Sequence, residues 1–161
     1  MNYQHVEILL VEDSKADAEM TLRTLKRRGI ANNVEWVRDG AEALDYLFCT
    51  GSFSQRRNGQ PKLVLLDLKM PKLDGLEVLK QMKSRPETRK IPVVMMTSSR
   101  EEGDLVSSYE LGVNSFIVKP VEFDAEGKRI YKGGLPVREV GESTSTMSFE
   151  VVLSEHGTPA A

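Results

Sequence analysis

Five side chains able to do chemistry stand where short apolar runs give out: Glu12 and Asp13 after VEILLV, Asp67 after LVLL, Thr97 after IPVVMM and Lys119 after SFIV. Brought together, the three carboxylates would repel and raise one another's pKa values unless a cation offset them. Hard oxygen ligands of this kind suit Mg2+, which keeps several waters and takes one or two carboxylates together with phosphate oxygens. A hydroxyl and an ammonium opposite that cation would grip a phosphoryl group. Asp67, carried on the end of the most hydrophobic run of the chain, would then be aimed at phosphorus. Each residue also has a plainer use: Asp13 as a cap or surface acid, Thr97 as a turn hydroxyl, Lys119 as a solvated charge. Their joint position at four run ends is what points to a shared site.

Sharing a site requires that the runs be strands of one sheet. The runs are Val6 to Val11, Val34 to Val37, Leu63 to Leu66, Ile91 to Met96 and Ser115 to Val118, and the segments between them have helical spacing. Ser14 with Asp17 resembles a capping box, Ala18, Leu22 and Leu25 follow at i, i+4, i+7, and Gly29 stands where that helix would stop. Asp39 precedes a second helix (Ala43, Leu44, Leu47, Phe48) and Asp74 a third (Leu76, Leu79, Met82), while Ser99 with Glu102 opens a fourth that Gly112 can close. Strands alternating with helices imply crossover connections and therefore parallel pairing. The predicted fold is α/β, a doubly wound five-stranded parallel sheet of flavodoxin-like form. In such sheets ligands bind at the carboxyl edge, where all the residues named above would emerge.

At these residues the sequence resembles the receiver domain of two-component response regulators: VEDS after the first strand, LLDLKMPKLDG around the third, MMTSS after the fourth and FIVKP after the fifth. The resemblance spans residues 6 to 120, and the ordered set is specific where each motif alone is weak. It implies that Asp67 is the phosphoacceptor, with Mg2+ held by Asp13 directly, by Glu12 through water, and by Asp67 and the backbone carbonyl of Lys69. It implies further that Lys119 pairs with the phosphoryl group, and that Thr97 and Phe116 form the switch, Phe116 standing where many receivers have Tyr; ordinary strand core is the plainer use of Phe116. The expected partner is a sensor histidine kinase. Single-domain regulators associated with bacterial phytochromes are similar to this chain, including its long polar segment before the acceptor strand. A haloacid-dehalogenase-type phosphatase would want a second Asp where Lys69 stands, and a flavodoxin-like cofactor binder would want glycines where VEDSKADAE has acids. A receiver-shaped scaffold that no longer accepts phosphate stays open.

At 161 residues, 40% hydrophobic and 29% charged, the chain fits one globular domain with an appendage. No stretch approaches the roughly 18 apolar residues of a membrane span, and a net charge of -2 offers no basic field for nucleic acid. The single cysteine, Cys49, excludes an internal disulfide, and MNYQH lacks the layout of a secretion signal, so a cytoplasmic protein is expected. TGSFSQRRNGQP, residues 50 to 61, reads as a mobile surface loop. Trp36 reads as packing, and His5 and His156 as surface residues.

After residue 120 the glycines at 127, 133, 134 and 141 argue against the final helix that a receiver normally has. The expected division is a receiver over residues 1 to 124 and a β-rich arm over 125 to 161. Met147, Phe149, Val151 and Leu153 alternate with Ser148, Glu150, Val152 and Ser154 as one strand, and Gly133 with Gly134 suits a hairpin turn between two shorter ones. So short an arm needs a surface to pack on: exchange between two copies would make a homodimer, while folding back on its own receiver and disorder are the alternatives.

Overall fold

In the computed structural model the described residues are 6–27, 29, 33–97 and 110–119. Five strands, β1 (Ile8–Val11), β2 (Val34–Val37), β3 (Leu63–Asp67), β4 (Val93–Thr97) and β5 (Ser115–Val118), form one parallel sheet in the order β2-β1-β3-β4-β5. The connections include helices α1 (Lys15–Arg27), α2 (Gly40–Phe48) and α3 (Gly75–Ser84). This is the doubly wound flavodoxin-like architecture expected, with the order of winding reversing between β1 and β3, the point at whose carboxyl edge such sheets bind ligands.

Side chains of a strand alternate between its faces, and here both faces are covered, which is why the inner strands are apolar throughout. Ile8, Leu10, Leu63, Leu65, Val94 and Met96 pack with Ala18 and Leu25 of α1. Leu9, Val11, Val64, Leu66, Val93 and Met95 pack on the other face with Ala43 and Leu47 of α2 and Val78, Leu79 and Met82 of α3. Each helix starts at the residue its sequence announced. Ser14 Oγ accepts the Asp17 N–H at 3.3 Å, Asp39 Oδ1 that of Glu42 at 2.8 Å, and Asp74 Oδ1 that of Glu77 at 3.0 Å. Caps of this kind contribute about 1 kcal/mol apiece. At the far end of α2, Cys49 is the C-cap in the left-handed region, with φ of 54°. Two runs begin later than their apolar content suggests: β1 at Ile8 rather than Val6, and β4 at Val93, since Pro92 has no N–H to give to the ladder.

The segment from residue 50 to 61 differs from the loose loop expected. A 3-10 turn at Gly51–Phe53 sets Phe53 edge-on against Tyr46, with ring centroids 5.0 Å apart. Arg56 lies over the Tyr46 ring at 4.2 Å and donates to Tyr46 O at 2.8 Å, to Asn58 Oδ1 at 2.9 Å, and to Gly59 O. Gln60 donates to Leu47 O at 2.7 Å. The polar residues are thus used to fasten the connection to α2. The opening of the expected fourth helix, the arm beyond residue 124, and His5 and His156 lie outside the described residues; of that helix, Gly112 is seen in the stop position with φ of 93°.

Candidate functional site

The topology delivers the predicted residues to one edge. Glu12 and Asp13 form the turn leaving β1, Asp67 ends β3, Thr97 ends β4 and Lys119 follows β5. Strand pairing extends one step past the register of β4 with β5: Lys119 N–H donates to Thr97 O at 2.8 Å, and next to it Leu68 N–H donates to Met96 O at 2.8 Å. The backbone carrying Lys119 and Asp67 is therefore fixed by the sheet.

One carboxylate oxygen from each of Glu12, Asp13 and Asp67 lies within 4.8 Å of the others. Glu12 and Asp67 are buried and Asp13 is exposed, so the cluster runs from the sheet outward to solvent. The Lys119 ammonium sits against it, 2.7 Å from Glu12 Oε2 and 3.2 Å from Asp67 Oδ1. Glu12 Oε1 accepts the Ser14 N–H at 3.1 Å. Burial, and then the Glu12 charge, push the Asp67 carboxyl up to about 8, against the downward pull of Lys119. Burial would lower the Lys119 ammonium, but its contacts with Glu12, Asp67 and Asp17 outweigh that and raise it. One ammonium against three converging carboxylates leaves net negative charge on hard oxygen donors, a set that fits a divalent cation such as Mg2+. Lys69, two residues past Asp67, lies on the exposed loop leading to α3, where Lys72 takes a left-handed φ of 67°.

Thr97 and Phe116 are both buried. Phe116 is the register partner of Met95, and alternation along β4 puts Thr97 on the face of Met95, so the two lie on the same side of the sheet.

Three contributors were not singled out from the sequence as parts of the site. Trp36 of β2, read as packing, donates its indole N–H to Glu12 O at 2.9 Å and so braces the acid turn. At Gly75, a Cβ would collide with Asp67 O and come within 3.0 Å of Leu68 Cα; only glycine lets the start of α3 pass so close to Asp67. Asp17, read as a capping residue, lies 3.2 Å from Lys119 Nζ. No local signal announced that contact, because the two residues stand 102 positions apart.

Residues 8–130 match the response regulator receiver domain family. The chain belongs to that family. Response regulator Rcp1 of Synechocystis sp. (strain ATCC 27184 / PCC 6803 / Kazusa) is 44% identical over 112 residues, which is 70% of this chain and 75% of Rcp1. Among solved structures, the bacteriophytochrome response regulator AtBRR is 60% identical with a TM-score of 0.68, covering 74% of this chain and 85% of its own. The bacteriophytochrome response regulator RtBRR is 46% identical with a TM-score of 0.69, covering 94% and 91%. The Mn2+-bound form of Rcp1 and the phosphorylated cyanobacterial phytochrome response regulator RcpA are each 43% identical with TM-scores of 0.65, covering 71% of this chain and 81% of theirs. As a receiver, the chain is a signalling protein of the two-component type, with an acidic pocket suited to a divalent cation. Among the described residues no helix is long and apolar enough to cross a membrane.

Proposed function

We propose that this receiver accepts a phosphoryl group on Asp67 from the phosphohistidine of a sensor histidine kinase, with Mg2+ held by Glu12, Asp13, Asp67 and the carbonyl of Lys69. The observation that carries this reading is the meeting of three carboxylates within 4.8 Å, with Lys119 Nζ 3.2 Å from Asp67. Mg2+, when bound, supplies positive charge to the equatorial oxygens of the transferring group. Asp67, fixed by β3 and by the close passage of Gly75, presents a carboxylate oxygen in line with phosphorus. The new P–O bond forms as the P–N bond to the donor imidazole breaks, and the imidazole keeps the electron pair. Catalysis of this kind is positioning and electrostatics. Lys119 supplies the positive charge that belongs to the protein itself. The chain promotes only its own aspartyl phosphorylation and hydrolysis.

The acyl phosphate places new negative charge beside Thr97, whose hydroxyl turns toward it while Phe116, on the same face, repacks into the space released. The relatives described as phytochrome regulators favour a kinase linked to a bacterial phytochrome. Phosphorylated RcpA and Mn2+-bound Rcp1 support the reaction and the cation by similarity.

The same reading gives the receiver residues 1 to 124 and leaves 125 to 161 as a β arm joining a cytoplasmic homodimer. The similarity to RtBRR over 94% of this chain favours an arm of shared design. Light scattering of the full chain and of a version ending at Asp124 tests this, and a monomeric full chain would remove it.

For the central reading, the protein and its Asp67→Asn variant are incubated with acetyl phosphate and Mg2+ and weighed by intact mass. One phosphoryl group should appear on the native protein alone. Phosphorylation that survives the substitution refutes the assignment.

A further inference from the structure

Lys119 meets three carboxylates, but only two of them, Glu12 and Asp67, belong to the group that converges on the cation position. The third is Asp17, whose Oδ2 accepts a hydrogen bond from Lys119 Nζ at 3.2 Å across 102 residues of sequence. The side chain of Asp17 is 42% exposed, against 5% for Asp67 and 0% for Glu12, so it stands at the solvent side of the ammonium.

An acid in the first turn of a helix has a plain use in complementing the helix dipole. That accounts for a carboxylate at this position but not for its contact with the strand-end lysine. Nor is its backbone loosely held: the Asp17 N–H is capped by Ser14 Oγ, the Ala18 N–H donates to Ser14 O at 2.9 Å, and Ala18 is fully buried. When a cation engages Glu12 and Asp67, Asp17 is the carboxylate left to Lys119 alone.

We propose that Asp17 is a positioning residue for phosphoryl transfer, holding the Lys119 ammonium at the mouth of the pocket in competition with the incoming anionic donor. This rests on Asp67 being the phosphoacceptor. A donor must draw Lys119 away from Asp17 and approach against the Asp17 charge, so this carboxylate sets how tightly phosphate-bearing donors are taken. At a half-exposed position a unit charge a few ångströms from the phosphoryl group changes affinity by roughly 3- to 10-fold. The added charge is screened by salt.

The test is the rate of Asp67 phosphorylation against acetyl phosphate concentration, at saturating Mg2+ and at low and high KCl, for the native protein, Asp17→Asn and Asp17→Glu. Asp17→Asn should lower KM by roughly 3- to 10-fold while the maximal rate stays within about twofold. Asp17→Glu, which keeps the charge, should stay near the native values, and the gap should narrow as KCl rises. An unchanged or higher KM in Asp17→Asn, or equal shifts in both variants, overturns the role of Asp17 and leaves the phosphoacceptor standing. No phosphorylation of the native protein defeats both.

Discussion

The indole N–H of Trp36, on β2, donates to the main-chain carbonyl of Glu12 at 2.9 Å, so the one tryptophan of the chain is bonded to the turn that carries two of the three clustered acids. The Arg38 guanidinium lies 4.9 Å from the centre of the same ring. A cation that draws in Glu12 and Asp13 changes the field and geometry at this ring. Titration with Mg2+ or Mn2+ should therefore shift Trp36 emission with a saturable curve, and Asp13→Asn should move that curve to higher cation concentration. Trp36→Phe removes one hydrogen bond to a partly buried carbonyl and should cost about 1 kcal/mol in urea unfolding. An emission spectrum that ignores the cation would show that the turn does not respond.

The raised carboxyl of Asp67 has a sign that can be checked in cation-free protein. With a native pKa of about 8 against an ordinary 3.8, the folded state binds more protons than the unfolded state between those values. Stability therefore falls as pH rises through that window. The contribution of Asp67 is complete below an unfolded pKa near 4 and is lost as pH passes 8. In EDTA, urea unfolding of the native protein relative to Asp67→Asn should show a deficit growing to roughly 2–5 kcal/mol by pH 9. Saturating Mg2+ should shrink the deficit, since the cation takes over the charge. A difference between the two proteins that is flat with pH would contradict the buried, like-charged setting of Asp67.

Gly75 tests how far the placement of Asp67 depends on its neighbours. The atoms a Cβ would meet, Asp67 O and Leu68 Cα, are backbone and cannot swing aside. Gly75→Ala should therefore destabilise the fold by about 1–3 kcal/mol. If Asp67 is the phosphoacceptor proposed above, phosphorylation should also slow by roughly tenfold or more in the fraction that stays folded, because Asp67 itself is displaced. Full activity in a destabilised Gly75→Ala protein would mean that the strand relaxes elsewhere.

The strands and their order of use were legible because buried parallel strands are apolar on both faces, so Glu12, Asp67, Thr97 and Lys119 each stand out at the end of a run. The caps at Ser14, Asp39 and Asp74 were legible because they act locally, within three residues. What did not show were contacts made by a polar atom on an otherwise apolar side chain, as at Trp36. Pairs that only the folded sheet brings together, as with Asp17 and Lys119, were equally silent. The β3–α3 approach at Gly75 was written as the DG of KLDG, but a glycine after a cap residue has several readings and only the packing selects one. Arg56 and Arg57 look identical in a polar stretch, although one is enclosed by its own loop and the other is not.

That last pair gives a direct comparison. Arg56 stacks on Tyr46 and bonds to Tyr46 O, Asn58, Gly59 O and Gln60, whereas among the described residues Arg57 donates to carbonyls of its own turn, Ser54 O at 3.2 Å and Arg56 O at 2.9 Å, and is exposed. Two partners of Arg56, Tyr46 O and Gly59 O, are backbone carbonyls that lose this donor if it is cut back, and the Tyr46 ring loses its cover. Arg56→Ala should cost about 1–3 kcal/mol. Arg57→Ala should lie within about 0.5 kcal/mol of native, as a surface change does. Hydrogen exchange should also quicken across residues 50 to 61 in Arg56→Ala, because Arg56 is one of the side chains that tie this connection to α2. Equal stability and equal exchange in the two variants would mean that Phe53, packed edge-on against Tyr46, holds the segment without help.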